Sequence, residues 1–278
     1  MDTGLNGKTI LITGGSMGIG KASALAFGHE TGSRVAVTYF KNEVSAKEAV
    51  ASIERDGGTA FATYMSLADH ASIEKAVEAI ARRFGSIDVL VNNAIQWGSG
   101  ENRSKAFEEM SMKQWQETVG INLFGTVKVT QLVVPFMRKQ KWGRIVNISS
   151  DIGYDSLKGS GPYGSLKTAL FGLTSNLVEE LSADGILSNV VLPSWTLVER
   201  HMANFPEEFR REAAKAFPTR RITTAQDVAS LIVYLGSAAN GHINGEHIRV
   251  TGKSSQPLLN MLMSEYRAKQ AERAITAS

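Results

Sequence analysis

The chain has 278 residues, of which 43% are hydrophobic, 21% charged and 8% aromatic, and this composition excludes a disordered or collagen-like protein. It contains no cysteine, which excludes a disulfide framework, a thiolate nucleophile and a cysteine-ligated zinc site; its five histidines show no metal-ligand spacing. The formal charge is only +3 and the basic residues are scattered, so neither nucleic-acid nor membrane binding is expected.

The first residues show no targeting pattern, because residues 1–8 lead directly into a strand without a basic stretch followed by an apolar one. No apolar run approaches the ~20 residues that a bilayer requires. Both observations predict a cytoplasmic protein.

Short β-branched runs alternate with longer helical patterns along the chain. The predicted strands are Thr9–Thr13, Arg34–Tyr39, Thr59–Tyr64, Ile87–Asn92, Arg144–Ile148, Leu187–Leu192 and Glu246–Val250. The predicted helices begin near Ile19 and then cover Glu43–Arg55, Ser72–Phe84, the regions flanking Asn122, Pro162–Ala183 and Ala225–Leu235, the last with a capping box at Thr224–Asp227.

This alternation predicts an α/β fold: a single-domain Rossmann-type, doubly wound parallel sheet of about seven strands, flanked by helices on both faces. Continuously apolar strands such as Val190–Leu192 agree with a sheet that is covered on both faces. We expect the domain to span residues 1–253 and to be followed by a C-terminal extension at 254–278. One further segment, residues 194–221, stands outside the alternation.

A glycine-rich turn lies between the first strand and the first helix, where residues 13–20 read TGGSMGIG. Missing side chains let backbone amides and the helix N-terminus approach a phosphate, so a dinucleotide is the expected ligand. A tight strand–helix connection without a ligand is the alternative. The predicted cofactor contacts in the turn are Gly14, Ser16, Met17, Gly18, Ile19 and Gly20.

The end of the second strand distinguishes the two nicotinamide cofactors, because an acid there would bind a ribose 2′-hydroxyl and repel a 2′-phosphate. Residues 37–42 read VTYFKN and contain no acid. Thr38, Lys41 and Asn42 could accept a phosphate instead, which favours NADP(H), with NAD(H) as the alternative. Alternatively, Lys41 is simply a solvent-exposed residue at the beginning of the next helix.

Five sequence elements occur in an order that is similar to the classical short-chain dehydrogenase/reductase family. They are the glycine turn at 13–20, Asn92-Asn93-Ala94, Asn122, Ser150, and Tyr163 with Lys167. The resemblance covers Lys8 to Gly252, and the passages 39–50 and 142–150 are most like 3-oxoacyl-carrier-protein reductase-like ketoreductases. It implies an NAD(P)-dependent oxidoreductase that acts on CH–OH or C=O groups.

Tyr163 and Lys167 are four residues apart and therefore share one face of a helix. Reducing a ketone places negative charge on its oxygen, and a positioned acid must supply the proton. The pKa of a free tyrosine is near ~10, and an ammonium one helical turn away lowers it by favouring the phenolate. Tyr163 is thus expected to be the acid in reduction and the base in oxidation. A surface pair on an amphipathic helix is the alternative.

The resemblance assigns further roles. It implies that Ser150 binds the carbonyl oxygen, that Lys167 also holds the nicotinamide ribose and that Asn122 anchors a water on the proton path. Residues 194–221 correspond to the family's substrate lid. The other implied cofactor contacts are Tyr39, Leu67, Asn93, Ala94, Pro193 and Thr196; the implied substrate contacts are Gln96, Trp97, Tyr154, Trp195 and Met202, and no metal is expected.

The chain departs from the family pattern near the cofactor. Ile95 and Ser194 stand where glycine is usual, and Ser66 replaces an acid that commonly touches adenine. Serine lacks the freedom of glycine at positive φ, so we expect the backbone at Ser194 to take a different path. Met17 stands where many NADP-using members carry a basic residue, which weakens the NADP(H) prediction.

We therefore expect an NADPH-dependent reductase that converts a ketone to a secondary alcohol, on an apolar or metabolite-like carbonyl. An NAD-dependent alcohol or sugar dehydrogenase is one alternative, and a non-catalytic dinucleotide-binding regulator is another. An acyl carrier protein could dock on Arg138, Lys139 and Lys141, but the acidic run Glu179–Asp184 disfavours it. The resemblance implies a homotetramer. The extension at 254–278 is either a helix that covers a neighbouring subunit's site or a frayed tail.

Overall fold

The computed structural model describes residues 2–97 and 106–253 and, of the segment that follows, residues 259, 261–266, 268 and 270. Its strands are β1 Thr9–Ile12, β2 Arg34–Tyr39, β3 Thr59–Tyr64, β4 Val89–Asn92, β5 Gly143–Ile148, β6 Ile186–Pro193, β7 Thr196–Leu197, β8 Thr223–Thr224 and β9 His247–Val250. Its α-helices are α1 Gly18–Gly28, α2 Glu43–Arg55, α3 His70–Phe84, α4 Met112–Trp115, α5 Ile121–Gln140, α6 Ile152–Asp155, α7 Gly161–Leu181, α8 Glu199–Asn204, α9 Glu207–Ala213 and α10 Ala225–Leu235.

Seven strands form one parallel sheet in the order β3-β2-β1-β4-β5-β6-β9. This order confirms the predicted doubly wound architecture. Strands β2 and β3 follow β1 towards one edge of the sheet, and β5, β6 and β9 follow β4 towards the other edge. The connections after β1 and β4 therefore separate at the carboxyl edge of the sheet and open a crevice, which is where such folds bind ligands.

The core has two layers, one on each face of the sheet. On β1, Ile10 and Ile12 face the layer that contains Phe27 of α1 and Ile232 of α10. Leu11 faces the opposite layer, which is formed with α3 and α5. The alternation follows from strand geometry, because successive side chains point to opposite faces. Strand β1 is thus apolar on both sides, as expected of a strand that helices cover on both faces.

Helix caps account for the boundaries that the sequence predicts well. Asn42 caps α2 by accepting a hydrogen bond from Ser45 N. The capping box at Thr224 is confirmed, since Thr224 and Asp227 bond to each other's backbone amides. Helix α3 begins two residues before the predicted Ser72 because Asp69 accepts bonds from the first amides of the helix.

A π-helical turn, Gln116–Gly120, joins α4 to α5 into one long helix around Asn122. This helix, Met112–Gln140, is long and apolar enough to cross a membrane, with a mean hydropathy of 1.3 in its most apolar window. The expectation that no apolar run has such a length is therefore wrong. Part of the apolar character has a structural reason, because Val129 and Val133 pack into the core beside α3. The π-turn is itself notable, since such turns frequently occur at functional sites.

The segment between β6 and α10 forms a small layer over the crevice, here called the lid (residues 194–221). It is attached to the body by the parallel pair β7–β8. Phe209 and Phe217 form its apolar core together with Leu259 of the C-terminal extension, and the Tyr266 ring lies 4.6 Å from that of Phe209. The described part of the extension thus packs on the lid of its own chain.

Candidate active site

The glycine turn lies at the carboxyl edge of β1 and has the shape that a diphosphate requires. Gly14 and Gly18 adopt positive φ values of 65° and 55°. A Cβ on Gly20 would lie 2.3 Å from the Gly14 carbonyl oxygen and 2.5 Å from Asn93 Nδ2, so only glycine fits there. Because the backbone is bare at the N-terminus of α1, the residues present fit a dinucleotide.

Asn93 and Thr13 hold this turn against the end of β4. Asn93 Nδ2 donates to the carbonyl oxygens of Thr13 and Gly14, at 3.0 and 3.1 Å. Thr13 Oγ1 accepts from the backbone amides of Asn93 and Ala94, both at 2.9 Å. Asn92 has a different role, since its buried amide donates to Thr130 and Asn147 inside the core.

At the end of β2, the structure corrects the predicted phosphate-binding set. Thr38 is 1% exposed and its hydroxyl accepts a bond from Gly14 N, so it cannot face a ligand. Asn42 is not excluded, since its side-chain oxygen caps α2 but its amide nitrogen, 3.5 Å from Met17 Sδ, can still donate to a phosphate. Lys41 alone of the three remains exposed, with its Nζ 5.5 Å from the centre of the Phe40 ring.

Tyr163 and Lys167 lie on the first turns of α7 and point into the same space. Lys167 Nζ is 5.7 Å from the centre of the Tyr163 ring. The centre of the Trp97 ring lies 5.2 Å from that of the Tyr163 ring, and the two ring planes are tilted by 31°. The spacing in the sequence therefore correctly predicts that the phenol and the ammonium are adjacent.

Lys167 is 6% exposed and its ammonium donates to the carbonyl oxygen of Ile148, at 2.7 Å. Burial disfavours the charged form and lowers the pKa of Lys167 to about 8. Next to this side chain lies a cavity of about 10 Å³, which Asn122 and Thr126 line from the other side. That volume is enough for about one water molecule.

The two serines after β5 have different partners. Ser149 Oγ donates to the Lys167 carbonyl oxygen at 2.8 Å and so fixes α7 to β5. Ser150 Oγ makes only longer bonds, donating to Asp151 at 3.2 Å and accepting from Ile152 N at 3.3 Å. The longer bonds of Ser150 mean that its hydroxyl can exchange partners for a ligand more easily than that of Ser149.

Asn122 follows the π-turn, and its side chain bonds to backbone groups. Its Oδ1 accepts from Gln96 N at 2.7 Å, and its Nδ2 donates to the carbonyl oxygens of Gln96 and Thr118, at 2.9 and 2.8 Å. Both amide protons are thus used. Asn122 consequently fixes the loop that carries Gln96 and Trp97, a function that spacing alone does not reveal.

Two departures from the family pattern are accommodated without strain. Ser194 is not at positive φ, which is the restriction expected of a serine at this position, and its hydroxyl bonds to that of Thr223 at 3.0 Å, which ties the lid to β8. At the end of β3, the side-chain oxygen of Gln96 accepts from Ala68 N and from the hydroxyl of Ser66, at 3.0 and 3.3 Å. Ile95 lines the small cavity beside Lys167.

The predicted substrate residues do not form one cluster. Trp97 is beside Tyr163, whereas the Gln96 oxygen lies at the end of β3. The Tyr154 ring packs on Phe171, on the side of β9. Trp195 lies among the rings of the lid and Met202 is exposed on α8. Trp97 is thus the predicted substrate residue that the structure places directly beside the phenol.

The remaining predicted cofactor contacts surround the crevice. Ser16 is buried in the glycine turn, and Ile19 begins the first turn of α1 beside Gly20. Pro193 ends β6, and Thr196 lies in β7, where its hydroxyl donates to the Ser194 carbonyl oxygen. The last two are Tyr39 at the end of β2 and Leu67, which is buried against α5.

Comparisons with known proteins agree with this geometry. The sequence model of the short chain dehydrogenase family matches residues 8–208. A 3-oxoacyl-[acyl-carrier-protein] reductase, FabG, of Aquifex aeolicus is 37% identical, and the match covers 91% of this chain and 99% of that protein. The FabG of Thermotoga maritima is 34% identical, over 89% of this chain and 98% of that protein. The chain belongs to the short-chain dehydrogenase family.

Solved structures support the same assignment. A 7α-hydroxysteroid dehydrogenase, complexed with NADH and 7-oxo glycochenodeoxycholic acid, superposes with a TM-score of 0.83 at 29% identity, covering 92% of this chain and 97% of the other. Acetoin dehydrogenase YohF of Salmonella typhimurium superposes with a TM-score of 0.77 at 27% identity, and the match covers 88% of this chain and 96% of the other. The protein is an NAD(P)-dependent oxidoreductase that acts on CH–OH or C=O groups, as the site residues imply.

Proposed function

We propose that the protein reduces a ketone to a secondary alcohol with NADPH, reversibly, and that Tyr163 is the acid that protonates the carbonyl oxygen. The observation that carries this proposal is the buried Lys167 ammonium, 5.7 Å from the centre of the Tyr163 ring at the edge of the crevice. The nicotinamide, when bound, supplies the hydride. The residues of this chain supply the proton and hold the carbonyl group.

The residues of this set have different tasks in the proposed reaction. Ser150 donates a hydrogen bond to the carbonyl oxygen, while Tyr163 transfers its proton to the same atom. Lys167 stabilises the phenolate that remains and holds the nicotinamide ribose. A water in the cavity that Lys167 and Asn122 both line returns a proton towards Lys167, because the cavity has room for one.

The preference for NADPH rests on Lys41. It is exposed at the end of β2, and residues 38–42 contain no acid that would repel a 2′-phosphate. Met17, which is not basic, gives no further charge at this point. NADH is the competing cofactor, since the hydroxysteroid dehydrogenase described above was solved with it.

Substitution of Lys41 tests this preference. In Lys41→Glu, we expect KM for NADPH to rise at least about tenfold, because a charge-assisted bond to phosphate is replaced by repulsion, while KM for NADH changes less than about twofold. Lys75→Glu, on the exposed side of α3, is the control with the same change of charge. Steady-state kinetics with NADPH and with NADH measure these KM values for the wild type and both variants. Equal effects on both cofactors, or a wild type that prefers NADH, would contradict the NADPH proposal.

For the substrate, we propose an apolar, ring-containing or metabolite-like ketone that is not bound to a carrier. The Trp97 ring beside Tyr163 offers a flat apolar wall to such a compound. The relatives named as 3-oxoacyl-carrier-protein reductases favour a carrier-bound substrate instead. Against it, Arg138 and Lys141 both pair with Asp184, at 3.4 and 2.5 Å, which neutralises part of the basic face that an acidic carrier requires.

We also propose a cytoplasmic homotetramer. Phe124 on α5 is 63% exposed, and this ring would be covered if α5 formed the contact between subunits. Sedimentation equilibrium is expected to give the mass of four chains of 30.1 kDa each. Phe124→Lys is expected to shift this mass towards smaller species, because it places a charge in the interface. A wild-type protein that sediments as a single chain would overturn the proposal.

A further inference from the structure

A carboxylate from the lid reaches the glycine turn, 181 residues away along the chain. Glu199, the first residue of α8, accepts a hydrogen bond from Gly18 N through Oε2, at 3.0 Å. The preceding residue follows the same surface, since a Cβ on Gly18 would lie only 3.2 Å from Cγ1 of Val198. The start of α8 therefore contacts the turn that is shaped for the dinucleotide.

The Glu199 carboxylate lies at the N-terminus of α1, where a helix stabilises an anion. Helix α1 has 11 residues, and within the described chain the side chain of its N-cap, Met17, makes no capping bond and its first turn contains no acid. Its first amides and the positive end of its dipole are therefore available to an external anion. Glu199 supplies that anion from the lid.

A phosphate of the cofactor would require the same amides and the same positive end of the helix. Two anions cannot share them, because like charges at hydrogen-bond distance repel strongly and the turn offers no cation between them. We propose that Glu199 occupies the place of a cofactor phosphate in the ligand-free protein and must leave Gly18 when a dinucleotide binds. This inference rests on the dinucleotide binding that is proposed above.

The release is a local step. Two contacts hold the lid independently of Glu199: the β7–β8 pair, and the bond between the hydroxyls of Ser194 and Thr223 at 3.0 Å. Glu199 itself is exposed, so its side chain can turn into solvent while the lid stays attached. The carboxylate therefore competes with the cofactor and lowers its apparent affinity, in proportion to the fraction of protein in which Gly18 is occupied.

The test compares Glu199→Ala and Glu199→Gln with Glu207→Gln, which removes the same charge from an exposed position of the lid. Titration calorimetry of the full-length protein measures Kd for NADPH, NADH and inorganic pyrophosphate, the last as a probe of the turn alone. We expect about tenfold tighter binding of all three by Glu199→Ala, tighter binding by Glu199→Gln, and wild-type values for Glu207→Gln; tenfold corresponds to about 1.4 kcal/mol.

Unchanged or weaker binding by both Glu199 variants, with a wild type that binds NADPH or NADH, overturns this inference and leaves the proposed function intact. No binding of either dinucleotide by the wild type or by any variant overturns both. Thermal melting of the ligand-free proteins checks that the variants fold. Here Glu199→Ala is expected to melt slightly below the wild type, because α1 loses a stabilising anion.

Discussion

Replacing Tyr163 with phenylalanine is expected to lower kcat for ketone reduction by about 10³-fold and to change the Kd for NADPH by less than about twofold. The substitution removes only the hydroxyl that supplies the proton. The ring remains, and with it the packing of Trp97 at 5.2 Å and the position of the Lys167 ammonium. Steady-state kinetics with a panel of ring-containing and open-chain ketones, and calorimetry with NADPH, measure the two quantities.

Tyr234→Phe is the matched control for this experiment. Tyr234 lies in α10, in the core layer that contains α1. Its substitution also deletes a phenolic hydroxyl, but away from the crevice. We expect wild-type rates from it. If Tyr163→Phe reduced ketones as fast as the wild type, another acid would have to act. Cofactor binding without turnover by the wild type across the whole panel would instead favour a dinucleotide-binding regulator.

The sequence predicts those parts of the fold that local interactions determine. Helix α2 matches its prediction residue for residue, because Asn42 caps it and its apolar positions recur at helical spacing. The strand Arg34–Tyr39 is also correct at both ends. Tyr163 and Lys167 are found together for the same reason, since four residues along a helix correspond to one turn.

Contacts between distant residues account for what could not be predicted. The bonds of Asn122 to the backbone of Gln96 join residues 26 apart, and the contact of Glu199 with Gly18 joins residues 181 apart. No periodicity in the sequence encodes such pairs. The β7–β8 pair has two residues in each strand, which is too short for an alternating pattern. The assignment of Thr38 to a phosphate was wrong for a related reason, because its burial by the glycine turn depends on tertiary packing.

The protonation of Lys167 is expected to limit the reaction at alkaline pH. Burial lowers the pKa of this group to about 8, so the ammonium is present below that pH and is lost as the pH rises through it. Only the ammonium carries the positive charge that stabilises the phenolate. We therefore expect kcat/KM for reduction to fall about tenfold per pH unit above pH ~8, since this ratio reports the groups of the free enzyme.

Lys167→Met separates this explanation from a general loss of stability at high pH. The variant has an unbranched side chain of similar length without the titrating ammonium, so we expect kcat/KM to be about 10²-fold lower and to lack the inflection that Lys167 causes. Lys75→Met, on the surface of α3, should keep the wild-type profile. Because the Ile148 carbonyl oxygen loses its donor in Lys167→Met, thermal melting must show that the variant is folded at each pH. A wild-type profile that stays flat to pH ~10 would mean that the buried ammonium has no part in the chemistry.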